Sequence, residues 1–361
     1  MKIGILGAGG FVGSRAIEYL TLTGKAEVRG IVRRYSSLPR LARFAVDWRL
    51  ADAYDEDQLA KAFEGCEVVL HSVAGRDAEV AAGARPAYRA AERAGVRRIV
   101  LLSSAAIYGF TPRPGAGVDD RLSLDGLGSY AQSKLRLENE FRKISTTGSV
   151  ELAVLRPSIV VGPRAFWITD PARALLAGSV PLVEGGPGIC NSLYVDNLID
   201  AVLLASQAEN AKGEIFDLGD DNCITWRETY RRLASLLGVP AAEIESIPYV
   251  AHRPQTMQER AKALRHSPAL KGAALMTPDF LKLPLRRFLG MTRTVPLSWD
   301  LPGDKIAPSL SAELINLHVC QWRLSSEKAR RLLGYRPAVS VDEGLRRSVA
   351  WLRYAGLAPR R

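Results

Sequence analysis

The chain has 361 residues, of which 47% are hydrophobic, and it carries a formal net charge of +11 at pH 7. This length fits one large α/β unit with an appendage, and the apolar content excludes a largely disordered chain. No stretch of about 18 uncharged apolar residues occurs, which argues against a membrane-spanning helix.

Cysteine usage and the first residues indicate the compartment. Four cysteines, Cys66, Cys190, Cys223 and Cys320, are scattered without a CxxC pair. This pattern is typical of reduced thiols, rather than of a disulfide framework or a metal site. The chain enters a predicted strand after a single lysine, without the apolar region of a signal peptide. We therefore expect a cytoplasmic protein that binds no metal.

More than half of the positive excess falls in the segment 253–293, which holds nine basic and two acidic residues. No recognisable nucleic-acid-binding motif accompanies this charge, so we expect no nucleic acid partner. A phosphate-bearing ligand or a peripheral contact with an anionic membrane surface explains the charge at least as well. The apolar residues between Phe280 and Leu289 fit either a membrane-facing helix or an amphipathic helix packed on the core.

In chain order, short β-branched runs alternate with helical segments through the first half. Predicted strands occupy 2–6, 27–32, 67–71, 97–102 and 151–155, and predicted helices occupy 11–21, 56–64, 77–94 and 129–144. Runs such as Val68–Leu70 are apolar throughout, as expected for strands covered on both faces. The alternation predicts an α/β fold, a doubly wound parallel sheet of the Rossmann type.

A glycine-rich turn from Gly7 to Gly13 follows the first predicted strand and opens the first predicted helix. Gly7 permits the tight turn, Gly10 allows a pyrophosphate to approach the backbone, and Gly13 lets helix and strand pack closely. Phe11 and Val12 begin the helix, whose free N–H groups and positive dipole end suit phosphates. The position of this turn favours a dinucleotide-binding site over a plain strand–helix connection.

The second predicted strand ends in Arg33 and Arg34, at the place where an acidic residue would bind the ribose hydroxyls of NAD. Arginines there suit the additional phosphate of NADP, because guanidinium groups bind phosphate in a bidentate manner. The alternative is a solvated basic loop. The sequence therefore favours NADP(H) and leaves NAD(H) open.

The candidate catalytic residues are Tyr130 and Lys134 on a predicted helix, and Ser104 at the end of a predicted strand. A spacing of four places Tyr130 and Lys134 on one helix face. A phenol is a poor acid or base at neutral pH, and a neighbouring lysine cation is expected to lower its pKa. Ser104 is expected to hydrogen-bond the substrate oxygen beside the tyrosine. Together with the glycine turn, these residues predict hydride transfer at a carbonyl carbon.

The order of elements loosens after Pro and Gly clusters at 157–163 and 178–188. We predict an NAD(P)-binding Rossmann domain at 1–160, and a smaller, mainly substrate-binding lobe at 161–361. Residues 194–218 are expected to return to the Rossmann domain. A further helix is predicted near 225–237, and two short helices between Ser325 and Tyr354.

These motifs resemble those of the extended short-chain dehydrogenase/reductases, in the NAD-dependent epimerase/dehydratase branch. Gly7, Gly10 and Gly13 fit the GxxGxxG turn, and Tyr130 and Lys134 fit YxxxK. Further matches are 103–109 to SSxxxYG, 155–163 to LRPxxVYGP, 194–197 to YVDN, and 328–337 to the later landmark that ends in Gly-Tyr-Arg-Pro.

The resemblance implies roles for further residues. Asp52 matches the acid that contacts the adenine amino group, and His71 through Ala74 match the loop over the cofactor ribose. Pro157 matches the stretch near the nicotinamide. The second serine of the SSxxxYG motif, Ser104, is the catalytic one in this family.

Two departures from the family pattern narrow the chemistry. The 4,6-dehydratases carry an Asp-Glu pair directly after the catalytic hydroxyl residue, where this chain has Ala105 and Ala106. We therefore expect epimerisation or keto reduction, not dehydration. The substrate-binding arginine that precedes YVDN in the family is replaced by Cys190 or Asn191, which we take as the candidate substrate contacts with Ser104 and Tyr130.

The expected function is an NAD(P)-dependent hydride transfer on a small-molecule substrate, a nucleotide-linked sugar. The alternative is a 3β-hydroxysteroid dehydrogenase-like reductase of a sterol or long-chain lipid ketone, whose branch the layout around 308–311 and the Gly-Tyr-Arg-Pro turn also resembles. The second alternative is a non-catalytic NADP-sensing protein of the same fold. We further expect a homodimer.

Overall fold

The computed structural model describes residues 1–74, 78–178, 180–220, 222, 224–240, 244–249 and 312–359. The predicted basic segment 253–293 lies outside the described residues. Met1–Pro248 and Pro308–Arg361 form one compact unit, and Tyr249–Ala307 form a second, of which only Tyr249 is described. None of the described helices combines the length and the apolar character that crossing a bilayer requires.

A central sheet of seven parallel strands organises the first unit, in the order β11-β6-β5-β4-β1-β2-β3. Its strands are β1 (Lys2–Leu6), β2 (Glu27–Val32), β3 (Asp47–Leu50), β4 (Val68–His71), β5 (Arg98–Leu102), β6 (Glu151–Pro157) and β11 (Ile215–Leu218). The strand order reverses between β1 and β4. Ligands of such sheets bind at this reversal, outside the carboxyl ends of the strands.

Helices cover both faces of the sheet. One face carries α1 (Phe11–Thr23) and α6 (Val195–Gln207), and the other carries α2 (Glu56–Phe63), α3 (Ala84–Arg93) and α4 (Ser129–Ser145). Buried strand residues alternate between the two hydrophobic clusters, with Ile3 and Ile5 on one side and Val69 and Ile99 on the other. The doubly wound Rossmann prediction is confirmed.

Two predicted elements need correction. The edge strand β3 was not predicted, because it has only four residues and three of them are exposed, which leaves no apolar run to detect. The helix predicted at 77–94 is instead a 3₁₀ turn over Ala78–Gly83 followed by α3 from Ala84. Residue 77 lies outside the described residues.

The second half of the unit adds small sheets around further helices. Strand β7 (Ile159–Val161) pairs in parallel with β10 (Ser192–Tyr194), β8 (Val180–Val183) with β13 (Ile244–Ile247), and β9 (Ile189–Cys190) in antiparallel with β12 (Ile224–Thr225). The helices are α5 (Phe166–Leu176), α7 (Trp226–Leu237), α8 (Ala312–Val319), α9 (Glu327–Leu333) and α10 (Val341–Tyr354). The predicted boundary at residue 160 stays a prediction.

Candidate active site

The glycine turn lies at the carboxyl end of β1, beside the reversal of strand order. Gly7 has a φ of 91°, which disfavours an L side chain. A Cβ on Gly13 would lie 2.3 Å from the carbonyl oxygen of Gly7, so only glycine allows this contact. Helix α1 begins after Gly10 without a side-chain cap and without an acidic residue in its first turn, at Phe11 and Val12. This N-terminus therefore offers uncompensated N–H groups to an anion.

The segment after β2 extends along the glycine turn. Arg33 and Arg34 are both exposed. They connect β2 to a 3₁₀ turn over Tyr35–Arg40. Arg40 Nη1 donates to the carbonyl oxygen of Gly9 at 3.0 Å. Arg40 thus contacts the glycine turn, and Arg33 and Arg34 add two exposed cations to the same segment, a basic environment suited to a phosphate group.

Asp52 follows the edge strand β3 and is half-buried. Its Oδ1 accepts a hydrogen bond from the backbone N–H of Tyr54 at 3.1 Å. This bond orients the carboxylate at the same edge of the sheet as Arg33 and Arg34, and the predicted adenine contact stays a prediction.

His71 is the last residue of β4, and the loop that follows it, residues 72–74, lies next to the glycine turn. Ser72 Oγ donates to the carbonyl oxygen of Leu6 at 2.7 Å, which ties this loop to the end of β1. Burial and the nearby Lys134 cation lower the pKa of His71 to about 3, so its imidazole is neutral. Ala74 is exposed, in keeping with a loop that could cover a ligand.

Lys134 reaches from α4 to the carboxyl edge of the sheet. Its ammonium donates to the carbonyl oxygens of Leu102 at 2.7 Å and Val73 at 3.1 Å. Only 3% of the residue is exposed, and burial lowers its pKa to about 8. The lysine therefore lies between the ends of β4 and β5, where its cation is held by backbone dipoles.

Tyr130 stands one turn before Lys134 and hydrogen-bonds the side chain of Ser104. Burial raises the pKa of Tyr130, and the hydrogen bond with Ser104 acts in the opposite direction. The helix spacing predicted that Lys134 would lower this pKa, but the influences on it are burial and Ser104, and the net effect is a raised pKa. Its role in the reaction stays a prediction.

Ser104 begins a 3₁₀ turn over Ala105–Tyr108, and its Oγ also accepts from the N–H of Ala106 at 3.2 Å. Ala105 is buried in a small apolar cluster with Cys320, Trp322 and Leu324. The position that carries an acid in dehydratases is thus covered by apolar side chains, which would disfavour a charged group.

The two predicted substrate contacts have different surroundings. Cys190 is 2% exposed and lines a mainly apolar cavity with Trp167, Trp226 and Tyr230. The amide of Asn191 donates to the carbonyl oxygen of Trp322 at 2.8 Å and accepts from the N–H of Leu324 at 2.9 Å. Asn191 therefore fastens the segment 320–324, which lies over Ala105, and its contact with a substrate stays a prediction. Pro157 is buried at the end of β6, opposite Leu218 of β11.

A buried polar network beneath Ser104 was not predicted. Ser103 Oγ donates to Glu138 Oε2 at 2.6 Å, and Arg156 Nη2 donates to Glu138 Oε1 at 2.5 Å. Arg156 Nη1 donates to Tyr108 Oη at 2.6 Å, and this hydroxyl donates to Asp217 Oδ1 at 2.9 Å. Glu138 lies four residues after Lys134, which is the signal that could have placed it on the helix face toward the site.

Comparison with known proteins identifies the family. The family model for the NAD dependent epimerase/dehydratase family matches residues 3–219. Sterol demethylase protein B of Methylococcus capsulatus is 26% identical over 98% of this chain and 98% of that protein. An N-acetyl-α-D-glucosaminyl-diphospho-ditrans,octacis-undecaprenol 4-epimerase of Escherichia coli O157:H7 is 23% identical over 60% of this chain and 66% of that protein.

Among solved structures, UDP-glucuronic acid 4-epimerase from Bacillus cereus in complex with NAD is similar with a TM-score of 0.69. The two share 18% sequence identity over 98% of this chain and 99% of that one, so this likeness concerns the fold. The glycine turn, the uncapped N-terminus of α1 and the buried Lys134 fit a dinucleotide on the geometry of this chain itself. The chain belongs to the NAD-dependent epimerase/dehydratase family and is an NAD(P)-dependent enzyme of the short-chain dehydrogenase/reductase type.

Proposed function

We propose that this enzyme catalyses hydride transfer at a carbonyl or carbinol carbon, with Tyr130 as the general acid or base. The observation that carries this proposal is the position of Tyr130, one helical turn before the buried Lys134 whose ammonium is held at the carboxyl edge of the sheet, with the side chain of Ser104 close enough to lower the pKa of Tyr130. A substrate oxygen that accepts from both hydroxyls would be polarised and would receive or lose its proton at Tyr130.

The other residues position this proton transfer. Bound nicotinamide supplies or accepts the hydride. Lys134 Nζ, between the loop at Val73 and the end of β5, is placed to hold the cofactor ribose beside Tyr130. Ser104, whose Oγ is fixed by the N–H of Ala106, orients the substrate oxygen without exchanging a proton.

The cofactor we propose is NADP(H) in preference to NAD(H). Arg33 and Arg34 are exposed beside the glycine turn, and Arg40 adds a third cation through its bond to Gly9. A carboxylate in place of these groups would repel a 2′-phosphate, whereas guanidinium groups bind it.

The substrate that the surroundings of Ser104 support best is an apolar ketone or the corresponding alcohol, of the sterol or long-chain lipid type. Ala105 is packed on Trp322 and Leu324, and Cys190 or Asn191 replaces the arginine that binds the substrate in the family. Sterol demethylase protein B, similar over 98% of both chains, supports this choice by its name.

A nucleotide-linked or lipid-diphosphate-linked sugar is the second candidate. The similarity to the N-acetyl-α-D-glucosaminyl-diphospho-ditrans,octacis-undecaprenol 4-epimerase favours it. The reaction would then be epimerisation through a keto sugar, which returns the hydride to the same substrate.

One experiment separates these candidates. The purified enzyme is incubated with NADPH or NADP⁺ and a panel of 3-keto and 3-hydroxy sterols, β-keto lipids, and UDP-, GDP- and dTDP-sugars. Net change in absorbance at the reduced-nicotinamide band detects ketone reduction or alcohol oxidation, and chromatography of the sugars detects epimers. The control is Tyr130→Phe, which should lower the rate of either reaction by roughly 10²–10⁴. If Tyr130→Phe retains the turnover of the wild type, Tyr130 is not the acid.

Two further predictions concern association. The expected homodimer is tested by light scattering of the protein as it elutes from a size-exclusion column.

Contact of the segment 253–293 with membranes is tested by co-sedimentation with anionic vesicles. This binding should weaken as salt is added, because the screening length falls from about 10 Å at 0.1 M to about 3 Å at 1 M.

A further inference from the structure

The 3₁₀ turn that carries Ser104 is anchored at both of its ends. At the first end, the neighbouring Ser103 donates to Glu138 of α4, the helix that also carries Tyr130. At the other end, Tyr108 Oη lies 2.9 and 3.0 Å from the two carboxylate oxygens of Asp217 and accepts from Arg156 Nη1 at 2.6 Å. Backbone bonds from Ile107 to Ser104 and from Gly109 to Ala106 make the turn a short stiff unit.

The anchor at Tyr108 joins three strands at the carboxyl edge of the sheet. The turn follows β5, Arg156 is in β6, and Asp217 is in β11. Trp322 packs on the ring of Tyr108 at a centroid distance of 5.4 Å and donates its indole N–H to the carbonyl oxygen of Ala116 at 3.1 Å. Tyr108 is thus held at its hydroxyl by Asp217 and Arg156 and at its ring by Trp322.

We propose that Tyr108 and Asp217 are positioning residues for Ser104, and that the protonation state of Asp217 determines how firmly the turn is held. This inference rests on the proposed function, because it assigns a purpose to the position of Ser104 in that reaction. Neither residue touches the Ser104–Tyr130 hydrogen bond directly.

The carboxylate form of Asp217 holds the hydroxyl in one orientation. Both of its oxygens accept from Tyr108, which leaves the phenolic oxygen free to accept from Arg156. A protonated Asp217 offers an O–H in place of one acceptor, and this O–H competes with Arg156 for the same phenolic oxygen. A hydrogen bond to a charged acceptor is also stronger than one to a neutral acceptor.

Four groups act on the proton of Asp217. Tyr108 of the turn, Arg156 of β6 and Lys328 of α9 favour the carboxylate form, whereas Glu138 of α4 disfavours it. Lys328 is itself paired with Glu214 at 2.6 Å. Burial is the largest influence, and the pKa of Asp217 is raised to about 7. The carboxyl is 4% exposed and therefore changes charge inside the protein near neutral pH.

The test uses Asp217→Asn and Tyr108→Phe in the full chain, with Asp200→Asn and Tyr19→Phe as matched controls. Tyr19 Oη lies 3.0 Å from both carboxylate oxygens of Asp200, in a second tyrosine–aspartate pair that joins α1 and α6. Hydride transfer is followed from pH 5.5 to 8.5 with a substrate found in the panel. Deuterium exchange of the peptide over residues 102–110 is measured at the same pH values.

Wild-type kcat should rise about fivefold through pH 7, the ratio expected between a charge-assisted and a neutral hydrogen bond. Asp217→Asn should lack this step and should keep the low-pH rate throughout, with unchanged affinity for the cofactor. Its exchange over 102–110 at pH 8 should match that of the wild type at pH 6 after correction for intrinsic rates. Tyr108→Phe should show faster exchange at every pH, and the control pair should leave rate and profile unchanged.

The inference is overturned if Asp217→Asn keeps the wild-type pH step and the wild-type exchange. Should Tyr108→Phe fail to fold, Asp217→Asn carries the test, because it preserves the shape of the side chain. A wild type that turns over no member of the panel would count against the proposed function alone. In that case the exchange experiment still decides whether Asp217 holds the turn.

Discussion

Two buried arginines on neighbouring strands occupy opposite ends of the central sheet. Arg98 lies at the start of β5, and its Nη1 donates to the carbonyl oxygens of Ala205 and Ala208 at 2.6 and 2.7 Å, where α6 ends. Arg156 lies near the end of β6 and donates to the side chains of Glu138 and Tyr108. Both arginines are 1% exposed.

The difference lies in the partners. Arg98 neutralises the negative end of a helix dipole, and backbone carbonyls neither titrate nor leave their places. Its carboxylate partner, Glu151, is partly exposed and faces water. Arg156 instead donates to the side chains of Glu138 and Tyr108, and Tyr108 lies in the 3₁₀ turn after Ser104 and bonds the titrating carboxyl of Asp217. The amino end of the sheet is thus fixed by backbone, whereas its carboxyl end is held by groups whose protonation can change.

The largest contrast is expected in the rate of hydride transfer. Tyr130→Phe should lower kcat by roughly 10²–10⁴, because general acid–base catalysis contributes about that factor. The melting temperature and the cofactor dissociation constant should barely change. Single-turnover rates at saturating cofactor and substrate provide the measurement. Ser104→Ala should cost less, since one neutral hydrogen bond is lost, and a Tyr130→Phe rate within a few-fold of the wild type would contradict the assignment.

The second contrast is expected in stability. Arg98→Met should reduce the free energy of unfolding by about 1–3 kcal/mol, because it leaves the carbonyl groups of Ala205 and Ala208 without this donor, whereas Glu151 keeps its bond with Arg97. The rate per folded molecule should stay at the wild-type value. Urea unfolding and active-site titration of the same sample measure the two quantities. Loss of rate in parallel with stability would remove the distinction between the two ends.

The third contrast concerns pH. The pKa of Asp217 is raised from 3.8 to about 7 in the folded protein, so folding takes up a proton between these values. Because of this carboxyl, the free energy of unfolding decreases as the pH rises from about 4 to 7. Above pH 7 the carboxyl has no further effect on it. The slope is at most about 1.4 kcal/mol per pH unit. The free energy of unfolding of Asp217→Asn should therefore exceed that of the wild type by an amount that grows between pH 5 and 7 and then levels off. A difference that stays constant over this range would refute the prediction.

The smallest effect is expected at the exposed cations of the same carboxyl edge. Replacing Arg33 and Arg34 by alanine should weaken NADPH binding about tenfold for the pair, since solvent and salt screen exposed charges. NADH binding should change little. Dissociation constants from quenching of protein fluorescence provide the comparison, and wild-type protein that binds NADH more tightly than NADPH would contradict the cofactor choice.

Local patterns were sufficient to propose much of the candidate site. The glycine turn, the YxxxK helix and Ser104 each show in a few consecutive residues, because the backbone geometry or helix spacing they need is local. The anchor at Tyr108 was not predictable in this way. Tyr108, Arg156 and Asp217 lie far apart in the chain and meet only because the strand order places β11, β6 and β5 side by side. Burial, which dominates the pKa of Tyr130, likewise arises from packing and not from spacing.

The cover over Ala105 has a consequence for the order in which the protein is made. Trp322 and Leu324 are held at this position by the bonds that Asn191 makes with the segment 320–324, by the bond from the Trp322 indole to Ala116, and by the backbone bond from Ile189 to Cys320. A ribosome has therefore produced the glycine turn, Tyr130 and all seven strands of the central sheet before it produces residues 320–324. Nascent chains that end before this segment leave Ala105 and the ring of Tyr108 without this cover, which forms only after residues 320–324 have been made.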